Sequence, residues 1–230
     1  MRQPRNYLDI GSLPVRFAVF PLARVLLLPG SQLPLNIFEP RYLAMIDDAL
    51  THDRVVGMIQ PHNEQPPGGI PVGAGGLDRP ALYGVGCLGR LISFSETGDG
   101  RYHIVLKGVC RFQVREELPV TTLYRQVVAD FTPFAGDLTP QDTGKIDRLA
   151  LLADLKNYLA QQNLSADWKA VENTPTEDLV NMLAMNCPFE LLEKQALLEV
   201  RDIAGRAATL MTLLQMAVAG TSPPQDTTLQ

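Results

Sequence analysis

The feature that most constrains this chain is a change in the period of its apolar residues near Thr139. Before it, short apolar runs are stopped by proline and glycine, as in Arg16–Phe20 before Pro21 and Val25–Leu28 before Pro29 and Gly30, the pattern of half-buried or buried strands. After it, apolar residues recur at spacings of three and four, as in Ile146, Leu149, Leu152, Leu155 and Leu159, the period of one helix face. A β-rich part over 13–135, a helical part over 139–218 and a flexible tail over 219–230 follow. Charge divides at nearly the same place, with 13 basic and 12 acidic residues up to 135 and 7 basic and 13 acidic beyond it.

Further strands are expected over 33–37, 54–60, 82–94, 101–107, 110–117 and 124–131. Glu96 to Gly100 supplies the Gly and Asp that a hairpin reversal needs. One helix interrupts this half at 40–51. Pro40 suits its first position, where a missing N–H is harmless, and Tyr42, Leu43, Met45, Ile46, Ala49 and Leu50 form its apolar face. Residues 61–80 hold five prolines and five glycines and are expected to form a long surface loop. In the second half, Thr139-Pro140 and Thr174-Pro175 read as helix starts, the latter with Glu177 as a capping box. Helices are expected at 140–162, 175–186 and 188–218, with an interruption near Gly205.

The composition excludes several function classes. The formal net charge of −5, without a Lys/Arg cluster, is no footprint for a chain that lives on phosphate backbones. Cys87, Cys110 and Cys187 are widely spaced and far from any histidine, so neither a disulfide framework nor a zinc site is indicated. A reducing, cytoplasmic location is expected, since no signal-like run opens the chain and no stretch approaches the ~20 uninterrupted apolar residues that a bilayer demands. Gly84-Val85-Gly86-Cys87-Leu88-Gly89 matches a dinucleotide fingerprint only formally, because strand residues follow where a helix should begin. No phosphate-cradling loop is present, and Ser93 and Ser95 lack the elbow of a nucleophilic serine. No cofactor is expected.

The stretch Phe20–Tyr42, above all Leu35-Asn36-Ile37-Phe38-Glu39-Pro40-Arg41-Tyr42, resembles the N-terminal, substrate-binding domain of Lon proteases, and its stand-alone relatives in particular. Tyr83–Arg90, Val105–Phe112 and Leu191–Glu199 resemble further blocks of that family in the same order. The resemblance implies an α+β molecule: a PUA-like β pseudo-barrel with a short helix, followed by a C-terminal helical bundle. It implies a non-catalytic module that holds unfolded or partly folded polypeptides or a protein partner, working with a separate ATPase or protease. A binding module of this kind needs exposed apolar surface with a polar rim. Phe38, Glu39, Arg41 and Tyr42 at the helix entrance offer those types, and Arg90 and Arg111 are natural polar groups for a cleft between the two lobes. The bland alternative has Glu39 stabilise the helix N-terminus with Arg41 paired to it, buries Phe38 and Tyr42 between the barrel and the bundle, and makes both cleft arginines structural. Two rival functions stand beside the leading one: an RNA-binding PUA-like module, and an enzyme acting on a small molecule in the inter-lobe cleft.

Overall fold

A computed structural model describes Tyr7 and residues 9–62 and 80–220; most of the proline- and glycine-rich loop expected at 61–80, and the tail beyond 220, lie outside them. Six strands, β1 (Arg16–Pro21), β2 (Gln32–Ile37), β3 (Val55–Pro61), β4 (Leu82–Glu96), β5 (Tyr102–Glu117) and β6 (Arg125–Asp130), form one sheet in the order β2-β5-β4-β3-β1-β6. A further pairing of β5 with β6 closes five of them into a ring and leaves β2 appended to β5. The fold is therefore α+β, a near pseudo-barrel followed by helices.

The long strand β5 makes this closure possible. Its first part pairs with β2 from Tyr102 to Lys107, and its last part pairs with β6 from Gln113 to Glu117. β4 runs antiparallel to most of its length, with register shifts at Leu88/Gly89 and Leu91/Ser93. Such shifts bend a strand and increase its twist, which curls a sheet onto itself. The two separate strands expected at 101–107 and 110–117 are thus one, because Gly108 continues the extended backbone rather than breaking it. A Cβ there would drive into the Leu28 carbonyl, so only glycine lets the two backbones approach this closely.

Val25–Leu28, expected as a strand, is none. Leu26, Leu27 and Leu28 are fully buried core residues, but the segment belongs to no ladder and is anchored at its end by the Gly30 N–H donating to the Gly108 carbonyl at 3.0 Å. The apolar run records burial, and the prolines on both sides prevent a strand of useful length. Inside the ring, Phe17, Phe112 and Phe131 stack edge to face and tilted at centroid distances of 5.0 to 6.3 Å.

The helix α1 (Pro40–Thr51) lies where the sequence places it and buries Tyr42, Met45, Ile46 and Ala49. Two phenols pin it to the sheet: Tyr102 donates to Asp47 at 3.0 Å and Tyr124 donates to Asp48. The hairpin also stands as read, with Thr97 N–H donating to the Arg101 carbonyl and Gly100 at φ +77°.

The helical part matches the expected 175–186 helix to within one residue and differs in its other boundaries. It comprises α2 (Arg148–Gln161), α3 (Trp168–Asn173), α4 (Thr176–Asn186), α5 (Leu191–Glu199) and α6 (Ile203–Gly220). Thr139-Pro140 does not open α2. Asp147 does, accepting the Ala150 N–H at 3.0 Å. Thr174 closes α3 instead of capping α4, its hydroxyl donating to the Ala170 carbonyl at 2.8 Å, and the capping box is formed by Glu190 and Glu193 at the start of α5. The helix expected at 188–218 breaks at Val200–Asp202 and not at Gly205, which lies inside α6. By length and composition α6, with a mean hydropathy of 1.3, could cross a bilayer. Here it carries the buried Arg206 and packs Ala207, Leu210 and Leu214 against the other helices.

Among the described residues no helix carries a basic residue in its last turn, where cations would offset the helix dipole and bind the orphan carbonyls. Cations from elsewhere do so. Arg148 donates to the Val171, Glu172 and Thr174 carbonyls at the end of α3, and Lys194 donates to those of Ala184 and Met185 at the end of α4. At the end of α5, Arg111 from the sheet donates to Leu198, Val200 and Arg201, and Arg206 donates to Leu197.

Candidate functional site

Of the two arginines assigned to an inter-lobe cleft, Arg111 is 2 % exposed and fully engaged. Besides the three carbonyls at and just beyond the end of α5, its Nε and Nη2 bind the Asp137 carboxylate at 2.9 and 2.7 Å, and its guanidinium lies 4.5 Å from the Phe134 ring centroid. It is a structural staple between sheet and helices, with no group left for a ligand. Arg90 lies elsewhere. It faces Lys107 across the β4–β5 ladder while Arg111 faces Cys87, and it packs over the Tyr7 ring at 6.0 Å. The two arginines share no site.

The segment at the entrance of α1 splits in the same way. Arg41 is paired with Glu39 at 2.7 Å and lies 4.5 Å over the Tyr42 ring. Tyr42 is buried against Phe20 at a centroid distance of 4.2 Å, and burial pushes its hydroxyl pKa up, with Arg41 opposing. Phe38 alone is open, at 50 % exposure. Of the four residues, the structure therefore presents one apolar side chain flanked by an ion pair.

A groove between the lobes does exist, as the sequence suggests, but neither Arg90 nor Arg111 lines it, and the residues that do carry no signal that sequence reasoning used. It measures about 390 Å³. One wall is the segment Arg24–Leu26 with the start of β2, where Leu33 and Pro34 lie; the other is one stripe of α4, Asp178, Met182 and Met185, with Asn186 at its end. The stripe spacing of four and three puts these side chains on one helix face. Met182 is 40 % exposed, a large apolar side chain on a face that also carries Asp178. That combination at helical spacing was the one available signal, and the residues opposite it lie some 150 positions away, so no linear motif joins them.

The rim is polar. Arg24 closes one side, bound to Glu190 at 2.7 Å with both side chains about half exposed or more; its backbone N–H donates to Gln60 Oε1 at 2.9 Å. Gln60 in turn binds Gln195 Oε1 at 3.0 Å and fixes the sheet to α5. Asp178 has no cation bound to it among the described residues. The neighbouring Glu177 has a raised pKa, from burial first and from the charge of Asp178 second. The groove thus has thioether and aliphatic walls and a rim with one carboxylate, in the first turn of α4, that lacks an ion-pair partner among the described residues.

The strongly shifted groups are held in the interior: burial pushes the Cys110 thiol up to about 12 and that of Cys187 up to about 11, and raises that of Cys87 well above the ordinary thiol value. Burial lowers Lys194 to about 8, where its ammonium is spent on the α4 carbonyls. Among the described residues no three His, Cys, Asp or Glu side chains converge as metal ligands. His52 binds the Asp48 carbonyl, His62 stacks on Tyr83 at 4.2 Å, and His103 lies apart from both on β5.

Comparison with known proteins places this architecture. The chain is 26 % identical over 218 residues to Lon protease 2 of Myxococcus xanthus, covering 92 % of this chain and 25 % of that one. It is 26 % identical over 221 residues to a Lon protease of Anaeromyxobacter dehalogenans, covering 92 % and 24 %. The chain spans about a quarter of the length of these relatives. Its fold is similar to that of the N-terminal domain of a Mycobacterium avium complex Lon protease, with a TM-score of 0.60 at 16 % identity over 90 % of this chain and 100 % of the other. It is also similar to a Lon N-terminal domain protein from Xanthomonas campestris, with a TM-score of 0.56 at 20 % identity over 86 % and 97 %. The family model of the ATP-dependent protease La (LON) substrate-binding domain matches residues 16–216. With the fold, the sequence and the family model in agreement, the chain belongs to the LON substrate-binding domain family.

Proposed function

We propose that this chain is a non-catalytic module that holds unfolded or partly folded polypeptide in the groove between β2 and α4. The observation that carries the reading is the groove itself, an open apolar trough with a polar rim in a chain of the LON substrate-binding family. Apolar walls attract side chains with little regard to sequence, while the rim supplies orientation. Methionine suits such a wall because its unbranched thioether adapts to differently shaped partners. The part of Lon proteases that this chain matches carries the substrate-binding name, and the reading extends that property to this chain in a cytoplasmic setting, as an adaptor or holdase that passes clients to a separate ATPase or protease.

The test is binding of a permanently unfolded, fluorescently labelled polypeptide, such as reduced and carboxymethylated lactalbumin. Met182→Glu combined with Met185→Gln should weaken it about tenfold or more, because the pair removes much of one apolar wall. Phe38→Ala combined with Arg41→Ala, folded by circular dichroism, should leave it within about twofold. Unchanged binding by the groove variant with loss by the Phe38 variant would move the site to the entrance of α1. Lack of any binding by wild type would end the reading.

A further inference from the structure

The groove wall formed by β2 has a property that an apolar trough does not need. In an antiparallel ladder alternate residues turn both backbone groups to the partner strand. The Gly108 N–H donates to the Ser31 carbonyl at 2.9 Å, and Gln32 to Ile37 then face Lys107 to Tyr102 in unbroken register. Ser31, Leu33 and Leu35 therefore turn their backbone to β5, and Gln32, Pro34 and Asn36 turn theirs away. Pro34 sits where its missing N–H leaves the ladder intact, the position to which proline is confined in an edge strand.

On the far edge of β2 this leaves the N–H and C=O groups of Gln32 and Asn36 and the C=O of Pro34. Among the described residues no strand pairs with that edge. It runs from the groove, which Gln32, Leu33 and Pro34 line, toward the exposed Phe38. The charges at the rim are unequal, since Arg24 is paired with Glu190 while Asp178, in the first turn of α4, has no ion-pair partner among the described residues. We infer that a client segment binds as an added strand along the outer edge of β2, with apolar side chains on Met182 and Leu33 and a lysine or arginine reaching Asp178.

This mode rests on the polypeptide-binding reading and sharpens it. Main-chain hydrogen bonds give affinity for any extended segment, alternate side chains give the preference, and Asp178 selects basic over acidic sequences. The interruption at Pro34 removes one donor from the edge and discourages edge-to-edge association between copies of the chain.

The probes are labelled ten-residue peptides that alternate valine with threonine and carry one central lysine, titrated against the full chain. Two versions are N-methylated on alternate amides, one set in each register. One set should lose about tenfold or more in affinity and the other little, because only one set of amides faces β2. Replacing the lysine by glutamate should weaken binding about two- to fivefold, the size of an exposed ion pair, and Asp178→Asn should erase that difference. Equal effects of the two N-methylation registers, or equal affinity of the lysine and glutamate peptides, would overturn the inference. If those peptides still bind and lose affinity in the Met182→Glu, Met185→Gln chain, the polypeptide-binding reading survives without it. No binding of any peptide or unfolded polypeptide would end both.

Discussion

Arg111 and Phe112 are consecutive residues of β5, both buried, and they belong to two different interiors. Phe112 points into the ring, where it meets Phe17 and Phe131 and where Gly57 and Gly86 make room for it. Arg111 points into the seam with the helices, where it meets a carboxylate and three carbonyls. Successive side chains of a strand face opposite ways, so one step along β5 changes the kind of cohesion. The ring is held by apolar contact and a closed ladder, and the seam by the buried polar groups Arg111, Asp137, Gln60, Gln195, Asn181 and Arg206. Apolar packing tolerates sliding, whereas directed polar contacts fix one arrangement. The groove lies between the two lobes, and its shape depends on that fixed arrangement.

The comparison is broken most severely by Arg111→Met. It leaves Asp137, itself 6 % exposed, without its cation, and should cost about 3 to 5 kcal/mol in denaturant unfolding. Adding Asp137→Leu should recover part of that loss, because the unpaired buried charge is then gone. Phe112→Ala should cost a similar amount, about 3 to 5 kcal/mol, through the lost burial and the cavity left behind, and no substitution at Asp137 should restore it. Recovery of both variants, or of neither, would show that the two interiors are held in the same way.

A smaller effect is expected at Gly108→Ala. Its Cβ meets the Leu28 backbone rather than a flexible side chain, so the strand must shift, at about 1 to 3 kcal/mol. Smaller still in most buffers is the contribution of Lys194. The unfolded chain keeps the lysine proton up to about 10.5, and the folded chain releases it near 8. Between those values unfolding takes up a proton, so rising pH favours the folded state. The stability of wild type relative to Lys194→Met should therefore increase from pH 8 to 10, and a difference that falls or stays flat would contradict the burial of the ammonium. The least conspicuous outcome concerns the thiols. All three are buried with raised pKa values, so a thiol reagent at neutral pH should label them only as fast as the chain opens.

Local signals made much of the ring readable. Pro40 followed by an apolar face gave α1 its limits, and Thr97 to Gly100 gave the hairpin between β4 and β5. The helical boundaries were less readable for a definite reason. The carbonyls at the ends of α3, α4 and α5 are bound by Arg148, Lys194, Arg111 and Arg206, which come from other elements; Pro175 and Pro188 mark the ends of α3 and α4 in the sequence, but α5 has no such mark. Asp147 as the opening of α2 competed with the more conspicuous Thr139-Pro140. Leu26, Leu27 and Leu28 carried a burial signal that a strand and an irregular buried segment share. Of the candidate site residues, Phe38 lies exposed at the helix entrance, whereas Arg41, Tyr42 and Arg111 are occupied by their neighbours, a pairing that residue type alone does not disclose. The groove depends on packing α4 against residues 24–34, and that juxtaposition appears only in three dimensions.

Hydrogen–deuterium exchange of the full chain, with and without a saturating unfolded polypeptide, tests the central claim most directly. The account predicts slowed exchange over 31–36, with the amides of Gln32 and Asn36 protected most, together with protection along α4, while the start of α1 is unchanged. Protection confined to residues 38–42 and the β4–β5 hairpin, with β2 and α4 exchanging as before, would contradict it.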